Sequence, residues 1–479
     1  MMFLPRKSTA LSWISTTITR PALASAKGSI PTWTRGYSQP RQFGDEPSVA
    51  NNDHKGLVKD IGAAKAAIRL PASRLNQLHD RNIDVHYIQL RDACQCPRCV
   101  DPQTKQRSFR TAEIPEDIAP RQIRWVQDSC SDGESKEVLE ISWNKDVPGY
   151  NDKTHVTRLT ADEISHPSAY FHHKTVGIGK HQIFWDRDEM EKHQPWINYN
   201  DWMSNNDLFR DALNKLSLYG LLFVENIPDS REMVSNIATR MGPLRNTFYG
   251  STWDVRNDPK AKNVAYTNLN LGFHMDLLYV HNPPGYQLLH CLRNSCEGGE
   301  SLFVDAFGAA RDLDRKSWET LSAHNVPYHY NHKENYYRTT RPVLEIPDNG
   351  NSANDRTLTH VNYSPPFQGP YHIKSSESPE WPVKMKDYLS AIREFEKRIE
   401  DPQRIFELKL EPGQCVIFEN RRVLHARRAF DTSSGERWLA GTYVDEDAVH
   451  SKMFILKRNA GEFAEGSCSM IHVDCSGAK

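Results

Sequence analysis

The chain has 479 residues, of which 38% are hydrophobic and 25% are charged, and its 60 basic and 61 acidic side chains give a net charge of -1. This balance argues against a nucleic-acid-binding protein, which carries a strong basic excess. No stretch of the sequence reaches the ~18 consecutive apolar residues of a spanning helix, so we predict no membrane span.

The first 44 residues have the composition of a targeting segment. They contain six basic residues, many Ser and Thr, and no acid before Asp45. Arginine and serine without acidic residues are typical of a mitochondrial transit peptide, and residues 35–38 resemble a matrix-protease cleavage site. We therefore expect residues 1–44 to direct the protein to the mitochondrial matrix. A disordered basic tail is the alternative.

Alternating apolar and polar residues predict a small β-rich domain over residues 65–165. Such runs lie at 83–88 and 138–143, and they indicate strands because successive side chains of a strand point to opposite faces. Residues 166–205 are rich in His, Asp and Pro and are predicted to form a connector.

Cys94, Cys96 and Cys99 are the first group of residues that suggests chemistry. Three thiolates this close can converge on one Zn²⁺, and His155, just after the second predicted strand, is the candidate fourth ligand. A site closed by four protein ligands would be structural, because no position is left for a substrate. Three incidental cysteines are the alternative.

The pattern from residue 206 onward predicts one larger domain, 206–447, followed by a tail, 448–479. Its predicted helices are 208–216, ended by Gly220, then 230–241, with Ser230 as the N-cap, and 380–399. Its predicted strands are 221–224, 287–292, 301–304, 415–418 and 438–444. Many short strands separated by Gly and Pro are typical of a jelly roll, or double-stranded β-helix. The predicted fold class is therefore α+β and mostly β.

His274 and Asp276, with His425 much further along the chain, are the second group. Residues i and i+2 of an extended segment project to the same side, and two His with one carboxylate can bind Fe(II) and leave three positions open. Arg437 follows His425 by twelve residues, and a guanidinium there can hold a carboxylate through two hydrogen bonds. A ligand that chelates iron and ends in a carboxylate is 2-oxoglutarate. Surface or hydrogen-bonding histidines are the alternative.

Several blocks, in this order, make the chain similar to a known family. The blocks are 90–94, 104–106, 263–266, 274–276, 283–290, 298–301 and 420–425. On these residues the chain resembles the γ-butyrobetaine dioxygenases, within the taurine-dioxygenase-like group of Fe(II)/2-oxoglutarate oxygenases. The related trimethyllysine dioxygenases share the same plan.

The resemblance implies a role for each matched residue. Fe(II) would be bound by His274, Asp276 and His425, and the far carboxylate of 2-oxoglutarate by Arg437 and Ser301. Zinc would be bound by Cys94, Cys96, Cys99 and His155. The substrate carboxylate would contact Asn263 and Asn362, and its trimethylammonium group would lie in a cage of Tyr249, Trp253, Tyr266 and Tyr443. Aromatic faces suit a cation that cannot donate a hydrogen bond, although core packing is the alternative for each ring alone.

The implied activity is the hydroxylation of γ-butyrobetaine to L-carnitine, coupled to decarboxylation of 2-oxoglutarate to succinate and CO₂, with ascorbate as reductant. Leu277 departs from the family, because some relatives place an aromatic cage wall after the metal-binding Asp; Tyr279 is the nearby substitute. Trimethyllysine or another quaternary-ammonium acid is the alternative substrate. A zinc-stapled binding protein with an inactive oxygenase domain is the alternative outside the enzymes. The implied partners are this small molecule and O₂, and a homodimer is left open.

Overall fold

The computed structural model describes residues 59–60, 66–71, 82–129, 135–165, 182–256, 268–347, 356–371 and 381–462. The predicted targeting segment lies outside these ranges, as do two of the predicted substrate contacts, Asn263 and Tyr266. In the part of the chain that is described, no helix is both long and apolar enough to cross a membrane.

Two small antiparallel sheets form the described chain between residues 59 and 165. One contains Lys59–Asp60, Ala67–Leu70 and Ile83–His86, and the other contains Pro120–Ser129, Ser135–Trp143 and Thr157–Thr160. The helical elements are Tyr87–Asp92, the 3₁₀ helix Thr111–Glu113 and Ala161–Ser165. Buried Ile68, Leu90, Leu139 and Trp143 pack in one cluster, so a single core supports both sheets.

The strand predicted at 83–88 ends at His86, where a helix begins. His86 Nδ1 accepts a hydrogen bond from the backbone N–H of Ile88 at 3.2 Å, and the Gln89 side chain accepts one from the backbone N–H of His86 at 3.0 Å. These bonds cap the first turn of the helix. The helix cap at His86 therefore ends the strand there, although the alternation of apolar and polar residues predicted that the strand continues to Ile88.

The larger part of the molecule is a double-stranded β-helix made of two sheets. The major sheet has the strand order Trp196–Asn198, Leu221–Glu225, Cys415–Glu419, Tyr286–Asn294, Arg437–Val444 and Thr252–Arg256. The minor sheet has the order Leu271–His274, Val423–Arg427, Ser301–Asp305 and Phe406–Leu408. Side chains of both sheets, including Phe223, Phe418 and Phe303, share one buried cluster. All five strands predicted for this part are confirmed.

Three helices cover one face of the major sheet: Asn206–Tyr219, Met233–Met241 and Glu446–Asn459. The first ends as predicted at Gly220, whose φ of +69° favours glycine. The second begins at Met233 rather than at the predicted Ser230, because residues 231–232 form a turn in which Ser230 Oγ accepts from the N–H of Glu232. The third occupies the start of the tail predicted at 448–479.

The connector predicted at 166–205 is described from residue 182 onward, and this part has regular elements. It contains Arg187–His193, Trp196–Asn198 and Tyr199–Ser204. The strand Trp196–Asn198 pairs in parallel with Leu221–Glu225. A three-residue strand of this kind forms only through its partner in the sheet, so its sequence carries too short a pattern to predict it.

A long excursion separates two strands of the minor sheet, Ser301–Asp305 and Phe406–Leu408. Its helices are Ala306–Arg311, Arg315–Ala323, the 3₁₀ helix Pro365–Phe367 and Trp381–Ile399. Its strands are Asn325–Asn331, Tyr336–Pro342, Leu344–Glu345 and His360–Val361. Trp381–Ile399, predicted at 380–399, packs its buried Phe395 into the cluster that also contains Met275 and Tyr443. The excursion therefore closes one side of the candidate site.

Candidate active site and metal centres

His274, Asp276 and His425 come together on the minor sheet. His274 ends its strand, and its Cα is paired with that of His425 in the neighbouring strand. Asp276 follows two residues later: His274 Nε2 lies 3.5 Å from Asp276 Oδ1, and the two imidazole centroids are 4.1 Å apart. One possible ligand atom from each residue lies within 4.8 Å of the others. The chain folds so that the predicted triad is assembled.

The protonation of the triad suits a divalent metal. His274 Nδ1–H donates to the carbonyl of Gly272 at 2.9 Å, and this contact turns Nε2 towards Asp276. Burial lowers the pKa of His425 to about 3, so this ring is neutral at neutral pH. Burial alone would raise the pKa of Asp276, but the neighbouring histidines and the Tyr443 hydroxyl outweigh it, and the pKa lies below its usual range. Two imidazole nitrogens and one carboxylate are the donor set of a non-haem Fe(II) site.

Tyr443 contacts the iron ligand directly, which the sequence did not predict. Its hydroxyl donates to Asp276 Oδ2 at 2.6 Å, and its ring centroid lies 4.1 Å from that of Trp253. A Cβ on Gly441 would come within 2.6 Å of the Trp253 ring, so the glycine allows this ring to approach the strand. Trp253 and Tyr443 thus form an aromatic wall beside the triad.

A larger group of rings packs in the same cluster as this wall. The Tyr249 and Tyr279 hydroxyl oxygens are 3.4 Å apart, and the Phe248 and Tyr249 ring centroids are 4.0 Å apart. Tyr249 was predicted, whereas four rings were missed because the excursion that supplies most of them has no clear motif. This aromatic cluster consists of Phe248, Tyr249, Tyr279, Tyr330, Tyr337 and Phe367.

Leu277 directly follows Asp276 in the sequence and has a strained backbone conformation. Its φ is +56°, a left-handed value that costs a non-glycine residue roughly 1–2 kcal/mol. Its side chain is buried in the same cluster as Tyr279 and Tyr443. Leu277 therefore contributes an aliphatic surface to the site, while Tyr279 supplies the neighbouring ring.

Arg437 is a buried guanidinium without a carboxylate partner among the described residues. Only 6% of the residue is exposed, and Nε donates to the carbonyl of Gly299 at 3.3 Å. Burial lowers its pKa, and an unpaired buried charge of this kind is costly until an anion binds. A Cβ on Gly299 would lie 3.1 Å from Arg437 Cδ, so the glycine makes room for the side chain. The predicted partner Ser301 lies two residues after Gly299, at the start of a minor-sheet strand.

Asn362, a predicted contact of the substrate carboxylate, is buried and hydrogen-bonded within the protein. Its Nδ2 donates to the Pro342 carbonyl at 2.8 Å and to Glu345 Oε1 at 3.0 Å. Its Oδ1 accepts from Arg421 Nε and Nη2 at 3.2 and 2.8 Å. Both donors and both lone pairs of the amide therefore have protein partners, and the contact with a substrate carboxylate stays a prediction.

Two other buried polar groups near the triad lack partners among the described residues: Gln287 Oε1 and Ser364 Oγ. Gln287 has Phe418 and Tyr443 as its cross-strand neighbours, so its side chain lies on their face of the major sheet. Ser364 follows Tyr363, whose carbonyl accepts from the N–H of Met275 in the triad segment. The sequence did not predict either residue. Gln287 lies within the matched block 283–290, and Ser364 lies in no matched block.

A second centre is formed by Cys94, Cys96, Cys99 and His155, as predicted. His155 Nε2 lies 3.3 Å from the Sγ atoms of both Cys94 and Cys99, and the four side chains offer ligand atoms within 4.8 Å of one another. Three thiolates and one imidazole form a closed structural site of the zinc type.

The zinc-type site has a supporting layer. His155 Nδ1 lies 2.6 Å from Asp146 Oδ2, a carboxylate contact that orients the ring so that Nε2 faces the thiolates. Asp146 forms a fully buried ion pair with Arg91, whose Nη1 donates to Cys99 Sγ at 3.4 Å. This arrangement ties the helix Tyr87–Asp92 to the metal site.

Comparison with known proteins agrees with this geometry. Residues 189–443 match the family of the taurine catabolism dioxygenase TauD and TfdA, and residues 77–131 match the gamma-butyrobetaine hydroxylase-like N-terminal family. The chain is 33% identical over 385 residues to dioxygenase str8 of Strobilurus tenacellus, covering 77% of this chain and 84% of the relative. The chain belongs to the TauD/TfdA family.

Two further relatives carry substrate names. The gamma-butyrobetaine dioxygenase of Pseudomonas sp. (strain AK-1) is 30% identical over 376 residues, covering 78% of this chain and 90% of the relative. The trimethyllysine dioxygenase of Meyerozyma guilliermondii is 28% identical over 383 residues, covering 77% of this chain and 89% of the relative. The relatives therefore differ in the substrate they are named for.

As a TauD/TfdA member with this triad, the chain is an Fe(II)- and 2-oxoglutarate-dependent dioxygenase. Bound iron, together with 2-oxoglutarate, supplies the O₂ chemistry that oxidises a C–H bond. His274, Asp276 and His425 would hold the metal, and the protein's remaining task is to orient the reactants and exclude water. The buried walls around the triad serve that task.

Proposed function

We propose that this dioxygenase hydroxylates γ-butyrobetaine to L-carnitine while 2-oxoglutarate is decarboxylated to succinate and CO₂. The observation that carries the proposal is the aromatic wall of Trp253 and Tyr443, which adjoins Asp276 through the 2.6 Å hydrogen bond. A trimethylammonium group has no N–H to donate, and each desolvated aromatic face contributes about 0.5–2 kcal/mol to its binding. A cation held against this wall places the substrate chain beside the iron.

The opposite end of such a substrate is a carboxylate, which needs hydrogen-bond donors. Ser364 Oγ is buried near the triad and has no partner among the described residues. A hydroxyl can donate to a carboxylate, whereas the unpartnered atom of Gln287, Oε1, can only accept. We therefore propose that Ser364 donates to the substrate carboxylate, beside the predicted contacts Asn263 and Asn362.

Trimethyllysine is the second candidate substrate, because several relatives are named trimethyllysine dioxygenases. Its extra α-ammonium group favours a binding site with an acidic partner. The inactive-domain alternative finds no support, since the triad is assembled and Arg437 lacks a protein carboxylate among the described residues. A comparison of turnover with the two substrates distinguishes between them.

The purified full-length protein with Fe(II), ascorbate, 2-oxoglutarate and O₂ is expected to form succinate in response to γ-butyrobetaine, with carnitine as the second product. The neutral isostere 5,5-dimethylhexanoic acid has the same shape without the cation. This compound should stimulate succinate formation at least about tenfold less than γ-butyrobetaine does, because it loses the cation–π attraction. Stimulation by trimethyllysine alone would select the second candidate, and stimulation by neither cation would overturn both.

A further inference from the structure

Asn420 lies fully buried at a point where three segments of the chain meet. Its Oδ1 accepts from the backbone N–H of Asp276 at 2.9 Å, and its Nδ2 donates to the backbone carbonyl of Asp276 at 3.0 Å. The second Nδ2 hydrogen is directed to the Pro284 carbonyl at 3.1 Å. The side-chain amide of Asn420 therefore binds both the backbone N–H and the backbone carbonyl of Asp276, the residue that would bind iron.

The orientation of this amide follows from its partners. The carboxamide oxygen must face the N–H of Asp276 and the amino group must face the two carbonyls, because the flipped amide would place donor against donor and acceptor against acceptor. The backbone N–H of Asn420 also donates to the Gly285 carbonyl at 2.8 Å. The residue is consequently held in place by the segment at 284–285 while it holds Asp276.

The triad segment needs such a support because its conformation is not locally favoured. Leu277, immediately after Asp276, has a φ of +56°, and left-handed residues persist only where the surroundings over-determine them. On the other side of Asp276, the N–H of Met275 donates to the Tyr363 carbonyl at 2.9 Å. Tyr443 fixes the Asp276 carboxylate itself, whereas Asn420 fixes its backbone.

We propose that Asn420 is a positioning residue of the iron site, whose side-chain amide holds Asp276 in its ligating position before the metal binds. Asn420 acts through Asp276 and does not touch the reactants. Groups that orient metal ligands in this way typically change metal affinity by 10–100-fold when they are replaced. The proposal assigns that effect to a residue five positions before His425.

The test is Asn420→Asp, which keeps the size and the acceptor for the Asp276 N–H but turns an oxygen towards two carbonyls. The Kd for Mn²⁺, measured by calorimetry or electron paramagnetic resonance on the metal-free full-length protein, is expected to rise about 10–100-fold. Anaerobic Fe(II) with 2-oxoglutarate should show an altered visible charge-transfer band. Asn420→Ser retains one hydrogen-bonding group, so its Kd for Mn²⁺ should lie between that of Asn420→Asp and that of the wild type.

The control is Leu213→Ala, in the helix Asn206–Tyr219, which destabilises the core without touching the site. It should lower Tm and leave the Kd for Mn²⁺ unchanged. Folded Asn420→Asp protein with wild-type Mn²⁺ affinity would overturn the proposal. If neither Asn420 variant folds, the test is hydrogen exchange of the metal-free wild-type protein. The backbone amide of Asp276 is expected to be protected from exchange, and fast exchange there would overturn the proposal.

Discussion

His274→Ala is expected to abolish substrate-stimulated succinate formation and to leave the protein folded. The imidazole supplies one of three metal ligands, and a metal centre contributes several kcal/mol to transition-state stabilisation, so turnover should fall about 1,000-fold or more. The measurement is succinate formation with saturating Fe(II), alongside Mn²⁺ binding to the metal-free protein. Mn²⁺ binding should weaken in parallel, because only two ligands remain.

The matched control for this variant is His290→Ala. His290 is also buried, but neither ring nitrogen has a hydrogen-bond partner among the described residues, and its cross-strand neighbours are Cys415 and Ala440. Burial lowers the pKa of His290 to about 4, so this ring is neutral and carries no structural charge. This control should retain Mn²⁺ binding. Wild-type turnover in folded His274→Ala protein would contradict the assignment of the triad.

Arg437→Leu is expected to raise the Kd for 2-oxoglutarate about 30-fold or more. Removing one partner of a buried, hydrogen-bonded charge pair costs about 2–5 kcal/mol, and every 1.4 kcal/mol is tenfold in affinity. Leucine preserves apolar packing near Phe430, whose ring centroid lies 5.6 Å from the guanidinium carbon. Calorimetric titration of the Mn²⁺-loaded protein with 2-oxoglutarate gives the comparison.

Arg437→Lys separates charge from geometry in the same position. Lysine keeps the positive charge but loses the planar pair of N–H donors, so its affinity for 2-oxoglutarate should lie between those of the leucine variant and the wild type. The Kd for Mn²⁺ alone should be unchanged in both variants, because Arg437 is not a metal ligand. Unaltered 2-oxoglutarate affinity in Arg437→Leu would exclude the predicted role.

The sequence predicted best those features that depend on short-range patterns. Apolar runs such as 415–418 became strands of the major sheet, and Gly220 ended its helix because its backbone is left-handed. The metal centres were also predictable, since Cys94, Cys96 and Cys99 are close in sequence and His274 and Asp276 have the i, i+2 spacing of an extended segment. His155 and His425 lie far from their partners in the sequence; the sequence named them as candidates, and the fold brings them to the other ligands.

The features that escaped sequence analysis depend on long-range contacts. Trp196–Asn198 becomes a strand through Leu221–Glu225, and Asn362 receives hydrogen-bond partners, Arg421 and Glu345, from distant segments. The same holds for Asn420, which reaches Asp276 across 144 residues. No local pattern contains this information, because the partners meet only after the sheets have formed.

Incubation under ¹⁸O₂ shows whether this dioxygenase oxidises the proposed quaternary-ammonium acid. The full-length protein is incubated with Fe(II), ascorbate, 2-oxoglutarate and γ-butyrobetaine, and both products are analysed by mass spectrometry. We expect one ¹⁸O atom in succinate and one in carnitine, because the two atoms of O₂ are divided between the cosubstrate and the substrate. Label in succinate alone, with unchanged γ-butyrobetaine, would contradict the proposed substrate, and label in neither product would contradict the account of the active site.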